Sequence, residues 1–172
     1  MPVIREIRDF ALTNQAGATM AKADLLGRPW AVNLIFTRCP GPCAQLSGVM
    51  RTVQNRMPKE SQARLLSLTS DPEFDTPTVL GRYAAKVGAD AAGWQFATGS
   101  RDAIRRLATE DLMLVLQDKA EAQRESAEDL FLHSTMIILV DAKGRVRNLV
   151  EGLEPGAADE VVRVLGELER ER

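Results

Sequence analysis

Trp30-Ala31-Val32-Asn33-Leu34-Ile35-Phe36-Thr37-Arg38-Cys39-Pro40-Gly41-Pro42-Cys43 is the stretch whose reading decides the fold. Its opening, Trp30 to Phe36, is a nearly continuous apolar run of strand length ended by turn residues. That pattern marks a central strand buried on both faces. After Cys43, the residues Leu46, Val49, Met50, Val53 and Met57 recur at helical spacing, and Pro58 stops the helix. The unit is therefore strand, cysteine loop, helix.

A second unit of the same form follows. Leu65 to Thr69 reads as a strand, Ser70 to Asp75 as a loop, and Thr76-Pro77 as a helix start, with Thr76 the cap and Pro77 where a missing N–H costs nothing. Val79, Leu80, Tyr83, Ala84 and Val87 supply its buried stripe and Gly88 its stop. Trp94 to Thr98 is a short strand, and Ser100 caps a helix carrying Ile104, Leu107 and Ala108. Met136 to Val140 is another buried strand, Asp141 to Gly144 a turn, Arg145 to Val150 a strand, and Val161, Val162, Leu165 and Leu168 mark a closing helix. Alternating strands and helices predict an α/β three-layer sandwich with a mixed central sheet flanked by helices. Parallel strands then send their carboxyl-end loops, including the cysteine loop and the Asp71 to Asp75 loop, to one edge.

The chain has 172 residues, 45% hydrophobic and 27% charged, with a net charge of -2. These values suit one globular domain over 1–172, with a lead-in hairpin at 1–20 and an exposed, charge-dense insertion at 117–130. The charge balance lacks the footprint of a nucleic-acid binder, so no nucleic-acid partner is expected. The longest apolar runs fall far short of the roughly 20 residues that span a bilayer, and Met1 to Leu12 does not read as a secretory signal. No membrane segment is expected in this chain.

Only two cysteines, Cys39 and Cys43, and one histidine, His133, are present. So few cysteines make a disulfide-stapled scaffold a poor description, and their role is chemical. A four-residue spacing at a helix start brings both sulfurs within reach of one another or of one metal ion. With Pro42 at the first helical position, Cys43 is expected among unpaired N–H donors, which lower a thiol pKa. A buried, inert pair fits poorly with a Pro-Gly-Pro spacer, and a structural zinc site lacks its four ligands. His133 alone reads as an ordinary polar residue near a strand start. Two thiolates and one imidazole nevertheless make a three-coordinate set suited to Cu(I). A metal-free dithiol, with Cys39 attacking and Cys43 resolving, stands as the alternative. A peroxiredoxin-type peroxidase lacks its Pro-x-x-x-Thr-x-x-Cys frame.

Several segments resemble the Sco/SenC family of thioredoxin-fold copper proteins linked to cytochrome c oxidase assembly. Phe10 to Gly17 and Gly27-Arg28-Pro29 look like that family's start. Phe36-Thr37-Arg38-Cys39-Pro40 with Cys43 is similar to its Phe-Thr-x-Cys-Pro-x-x-Cys segment, and Asp71-Pro72-Glu73-Phe74-Asp75-Thr76-Pro77 to its Asp-Pro-x-x-Asp-Thr-Pro loop. His133-Ser134-Thr135, leading into Met136 to Val140, resembles its histidine loop. The resemblance implies a thioredoxin-like fold, with Cys39 and Cys43 as a redox-active pair and Cys39, Cys43 and His133 as ligands of copper, Cu(I) or Cu(II). The reduced dithiol would be the competent form. It also implies delivery of copper to an oxidase subunit or another thiol or copper protein, or reduction of that site's thiols. A monomer acting in the periplasm or elsewhere outside the cytoplasm is expected on the same ground. Two positions depart from the family: Gly41, where Asp is usual, gives a thioredoxin-like Gly-Pro-Cys ending, and Leu132 replaces an Asp before the histidine.

The remaining candidates have local explanations. Asp75 is expected to cap the second helix and Asp71 to order its own loop. Met50, Met57 and Met136 lie on apolar stripes and read as core residues. The insertion at 117–130 reads as a solvated loop, or as a mobile flap that carries His133 to the cysteines.

Overall fold

The structure is a computed structural model that describes residues 1–171. Along the chain run β1 (Arg5–Glu6), β2 (Ala11–Asn14), β3 (Thr19–Ala21), α1 (Lys22–Leu25), β4 (Trp30–Ile35), α2 (Pro42–Arg56), β5 (Arg64–Thr69) and α3 (Pro77–Val87). They are followed by β6 (Trp94–Thr98), α4 (Arg101–Arg105), β7 (Leu116–Asp118), β8 (Phe131–His133), β9 (Met136–Val140), β10 (Arg145–Glu151) and α5 (Ala157–Arg170). The main sheet has the order β1-β10-β9-β4-β5-β6-β2-β3. Only β4, β5 and β6 run parallel, and the other pairs are antiparallel, so the sheet is mixed. The expected α/β sandwich, a mixed sheet with flanking helices, is the architecture observed.

The apolar run that opens at Trp30 occupies the middle of this sheet. Every residue of β4 is buried, which requires cover on both faces because successive side chains alternate. On one face α2 packs against both α3 and α5. Asn33, the polar residue within the run, is explained by its neighbours: Ser67 Oγ donates to Asn33 Oδ1 (2.8 Å) and Trp94 Nε1 donates to Ser67 Oγ (3.0 Å). This chain of bonds crosses the three parallel strands inside the core.

Local signals behave as their chemistry requires. Thr76 accepts from Val79 N at 3.3 Å with Pro77 at the first position, and Gly88 closes α3 in the left-handed region at φ 75°. Ser100 caps α4 through Ala103 N, and the chain then passes into a π-helical stretch, Arg106–Asp111.

Two segments are more structured than the sequence patterns indicated. The stretch 1–20 is divided between both ends of the sheet: β1 pairs with β10, while β2 and β3 form a hairpin that joins β6. The stretch 117–130 is mostly exposed but folded, because β7 and β8 pair as a second, two-stranded sheet. Sparse apolar residues hid that hairpin from a periodicity argument.

Gly152 allows β10 to close against the loops that carry the chemistry. Its N–H donates to Thr135 O (3.0 Å), and a Cβ there would lie 2.6 Å from that same oxygen and against Leu46 of α2. Replacing Gly152 by Ala is expected to cost about 1–3 kcal/mol through overpacking. Urea unfolding should show a lower midpoint with an unchanged slope.

Candidate metal centre

The cysteine loop leaves β4 at the carboxyl edge of the parallel strands and enters α2 through Gly41 and Pro42. Cys39 N donates to Phe36 O (3.1 Å), a turn that sets the first cysteine at the rim, half-buried. Cys43, in the first turn of α2, faces inward and is only 1% exposed. His133 ends β8 on the separate hairpin. The sulfur atoms and a ring nitrogen of Cys39, Cys43 and His133 lie within 4.8 Å of one another, and both cysteines are reduced. Residues 90 positions apart thus converge, with Cys43 Sγ and His133 Nε2 3.1 Å apart.

The imidazole is oriented from two sides. Its Nδ1 lies 3.0 Å from Ser134 O, a pure acceptor, so Nδ1 carries a hydrogen and Nε2 is the nitrogen turned to the sulfurs. Phe36 meets the His133 ring edge-on (5.6 Å) and is itself met edge-on by Phe131 (5.2 Å between the two phenyl rings). A main-chain carbonyl therefore does what a carboxylate at position 132 would do. No side-chain pattern could have revealed it.

The two thiols are driven apart. The Cys43 thiol donates to Cys39, and contact with His133 and the N–H groups of Gly41 and Cys43 adds to this; together they outweigh burial and lower Cys39 from an ordinary 9.0 to about 4. Its hydrogen bond to Cys39, together with burial, pushes Cys43 far above the thiol range. The expectation that helix-start N–H groups would activate Cys43 is overturned: Cys39 is the thiolate and Cys43 keeps the proton, because Cys43 is the deeper sulfur and lies beside a charged one.

Asp71 and Asp75 also depart from the local roles expected of them. Thr76 supplies the helix cap, whereas the fully buried Asp75 accepts from Thr37 N (3.1 Å), Thr37 Oγ1 and Thr69 Oγ1 (2.6 Å). Burial raises its pKa despite these donors. Arg38 donates to Asp71 through Nε (3.1 Å) and Nη2 (2.7 Å), with its guanidinium 4.0 Å over the Phe74 ring. Both carboxylates therefore fasten one edge loop to the other, holding the two residues that precede Cys39. Thr37, Arg38 and Thr69 are the supporting residues that the sequence did not single out; a threonine-arginine pair directly before a cysteine was the available signal. Met50 is buried, and Met57 and Met136 pack against the core, so none of them serves the site.

The split between the thiols is open to direct measurement. Alkylation of Cys39 by iodoacetamide should stay flat from about pH 8 to about pH 5 and fall by half near pH 4, because only the thiolate reacts. Mass spectrometry should find Cys43 unmodified throughout. A midpoint near 9 for Cys39 would contradict the arrangement.

Comparison with known proteins agrees with this geometry. The SCO1/SenC family model matches residues 4–168. A SCO1 protein homolog of Bacillus subtilis (strain 168) is 28% identical over 94% of this chain and 81% of its own. A putative copper-binding protein of Stutzerimonas stutzeri is 29% identical over 98% of this chain and 79% of its own. The solved structure of BsSco, a member of the Sco family of cytochrome c oxidase assembly proteins in which a disulfide switch was identified, superimposes with a TM-score of 0.85. It is 25% identical, over 99% of this chain and 98% of its own. With its cysteines and histidine converging on the edge of a mixed sheet, and with the family pattern running through nearly its whole length, the chain belongs to the SCO1/SenC family.

Proposed function

We propose that this protein binds Cu(I) through Cys39, Cys43 and His133 and delivers it to a copper site of a respiratory oxidase. The observation that carries this reading is the convergence of two reduced sulfurs and one imidazole nitrogen within 4.8 Å. Two soft thiolates with one imidazole satisfy a three-coordinate Cu(I) ion, whereas zinc would lack a fourth protein ligand. Membership in the SCO1/SenC family and the copper-binding relative support the same metal.

Copper is cargo here, and the protein's residues determine how it is held and released. Cys39 offers a ready thiolate at the rim. Cys43 gives up its proton as it becomes a ligand, and His133 contributes Nε2. Release to an acceptor proceeds by ligand exchange, one donor at a time, and Cys43 regains a proton at the end. The acceptor is an oxidase subunit or another thiol or copper protein, met by a monomer of this chain. Among the described residues no helix is long and apolar enough to cross a membrane. The family resemblance supports work outside the cytoplasm.

A second reading rests on the proximity and unequal acidity of the two thiols. Cys39 thiolate would attack a partner disulfide, and Cys43, losing its proton, would resolve the mixed disulfide. The partner is then reduced by two electrons and this chain is oxidised. The disulfide switch of BsSco supports that chemistry. Cys39→Ser would abolish it, while His133→Ala would leave it near wild type.

Anaerobic competition titration should give one tightly bound Cu(I) per chain, weakened about 100-fold or more in His133→Ala and lost in Cys43→Ser. Equal affinity in wild type and His133→Ala would remove the imidazole from the site. Calorimetry in buffers of different ionisation enthalpy should show about one proton released per Cu(I) near neutral pH. Release of two would mean that Cys39 also starts protonated.

A further inference from the structure

The β7–β8 hairpin has one covered edge and one open edge. Lys119 N donates to Leu130 O (2.9 Å) and Ser134 N to Val115 O (3.0 Å). Between them, Leu116 stands opposite His133 and Asp118 opposite Phe131. Bonded and unbonded pairs alternate in an antiparallel ladder, so these two are unbonded pairs whose N–H and C=O groups point outward. On the β7 side that edge is occupied, since Arg105 Nη1 reaches Leu116 O at 3.5 Å and Arg105 Nη2 pairs with Asp118 at 2.7 Å. On the β8 side, the outward backbone groups of Phe131 and His133 meet no backbone partner among the described residues.

That open edge faces a cavity. Phe131, Leu132 and His133 all line one space of about 440 Å³. Neighbouring side chains of a strand point to opposite faces, so three in succession share a cavity only if the strand turns its edge to it. The opposite wall is Cys39, Pro40, Gly41 and Pro42. Prolines carry no N–H to compete for pairing, and a Cβ on Gly41 would meet nothing within 4 Å. Leu132 is 51% exposed at the mouth. The charges in the lining do not balance: Asp129 holds Lys119 through both oxygens (2.8 and 2.7 Å), which leaves Glu125 and the Cys39 thiolate as a negative surplus.

We propose that this cavity receives an extended segment of the copper-accepting protein as a third strand on β8. The segment carries a cysteine or methionine turned toward Cys39 and no acidic side chain. Edge pairing supplies main-chain hydrogen bonds at Phe131 and His133, and the sulfur supplies specificity. Three paired residues span about 10 Å, the length of β8. The inference rests on the copper-delivery reading and names how the acceptor is met. Cu(I) moves from the protein's thiolates and imidazole to the incoming sulfur without any change in oxidation state. An acceptor thiol loses its proton to solvent, and Cys43 takes one up.

The probe is a synthetic, end-capped hexapeptide of sequence threonine-valine-methionine-valine-threonine-lysine, added to the reduced, copper-free protein. Nitrogen-15 NMR should show the amide hydrogens of Phe131 and His133 exchanging about tenfold more slowly in the complex. N-methylation of the peptide on one alternate set of residues should weaken binding by about tenfold or more. N-methylation of the other set should change it less than about twofold, because only one edge of the added strand is paired. Equal losses from both sets, no protection of these two amides, or no binding at millimolar peptide would overturn the proposal. Copper is absent throughout, so failure here leaves the Cu(I) titration of the protein alone to decide the ligand set separately.

Discussion

Strand β4 has to hide both faces, and the rest of the architecture follows from that requirement. Six consecutive buried residues need a layer above and a layer below, which the flanking helices and the strands on either side provide. Because β4 is parallel to β5, its carboxyl end opens on the same edge as that of β5. The cysteine loop and the aspartate loop are thereby brought side by side. Thr37, Asp75 and Thr69 then lock them with hydrogen bonds in a place where water does not compete. A rigid rim results, and Cys39 is mounted on it.

His133 is mounted differently. It belongs to a small hairpin outside the main sheet, tied to the core by Leu116 and by Phe131 packing on Phe36, and to α4 through Arg105. The two thiols thus sit on the rigid part and the imidazole on an appended one. The same hairpin leaves a strand edge free beside the sulfurs, so one appendage carries both the imidazole and that open edge.

The asymmetry of the cysteines is a consequence of depth. Only three residues separate them along the chain, yet one reaches solvent and the other is enclosed. A negative charge is tolerated at the outer sulfur and opposed at the inner one, and once Cys39 is charged its hydrogen bond holds the proton on Cys43. Helix-end electrostatics alone would favour ionisation of Cys43, as the spacing suggested. Burial and the neighbouring thiolate are the larger effects, and they reverse the outcome.

The strand, loop and helix succession, the helix caps at Thr76 and Ser100, and the placement of the cysteines where β4 passes into α2 were legible in the sequence. Each depends on residues close together in the chain, where periodicity and turn chemistry act. Three motifs in order also pointed to His133, which spacing alone could not, and the structure brings it beside both sulfurs. The β7–β8 hairpin was not legible, because the polar residues between its strands carry no period and its pairing is fixed by contact with the core. Nor were the cross-loop bonds of Asp75 and Asp71, the carbonyl of Ser134 behind the imidazole, or the choice of which thiol is charged. Those were decided by tertiary structure alone, since they depend on depth and on distances between residues far apart in the chain, and hydrogen bonds and charges respond to distance in space.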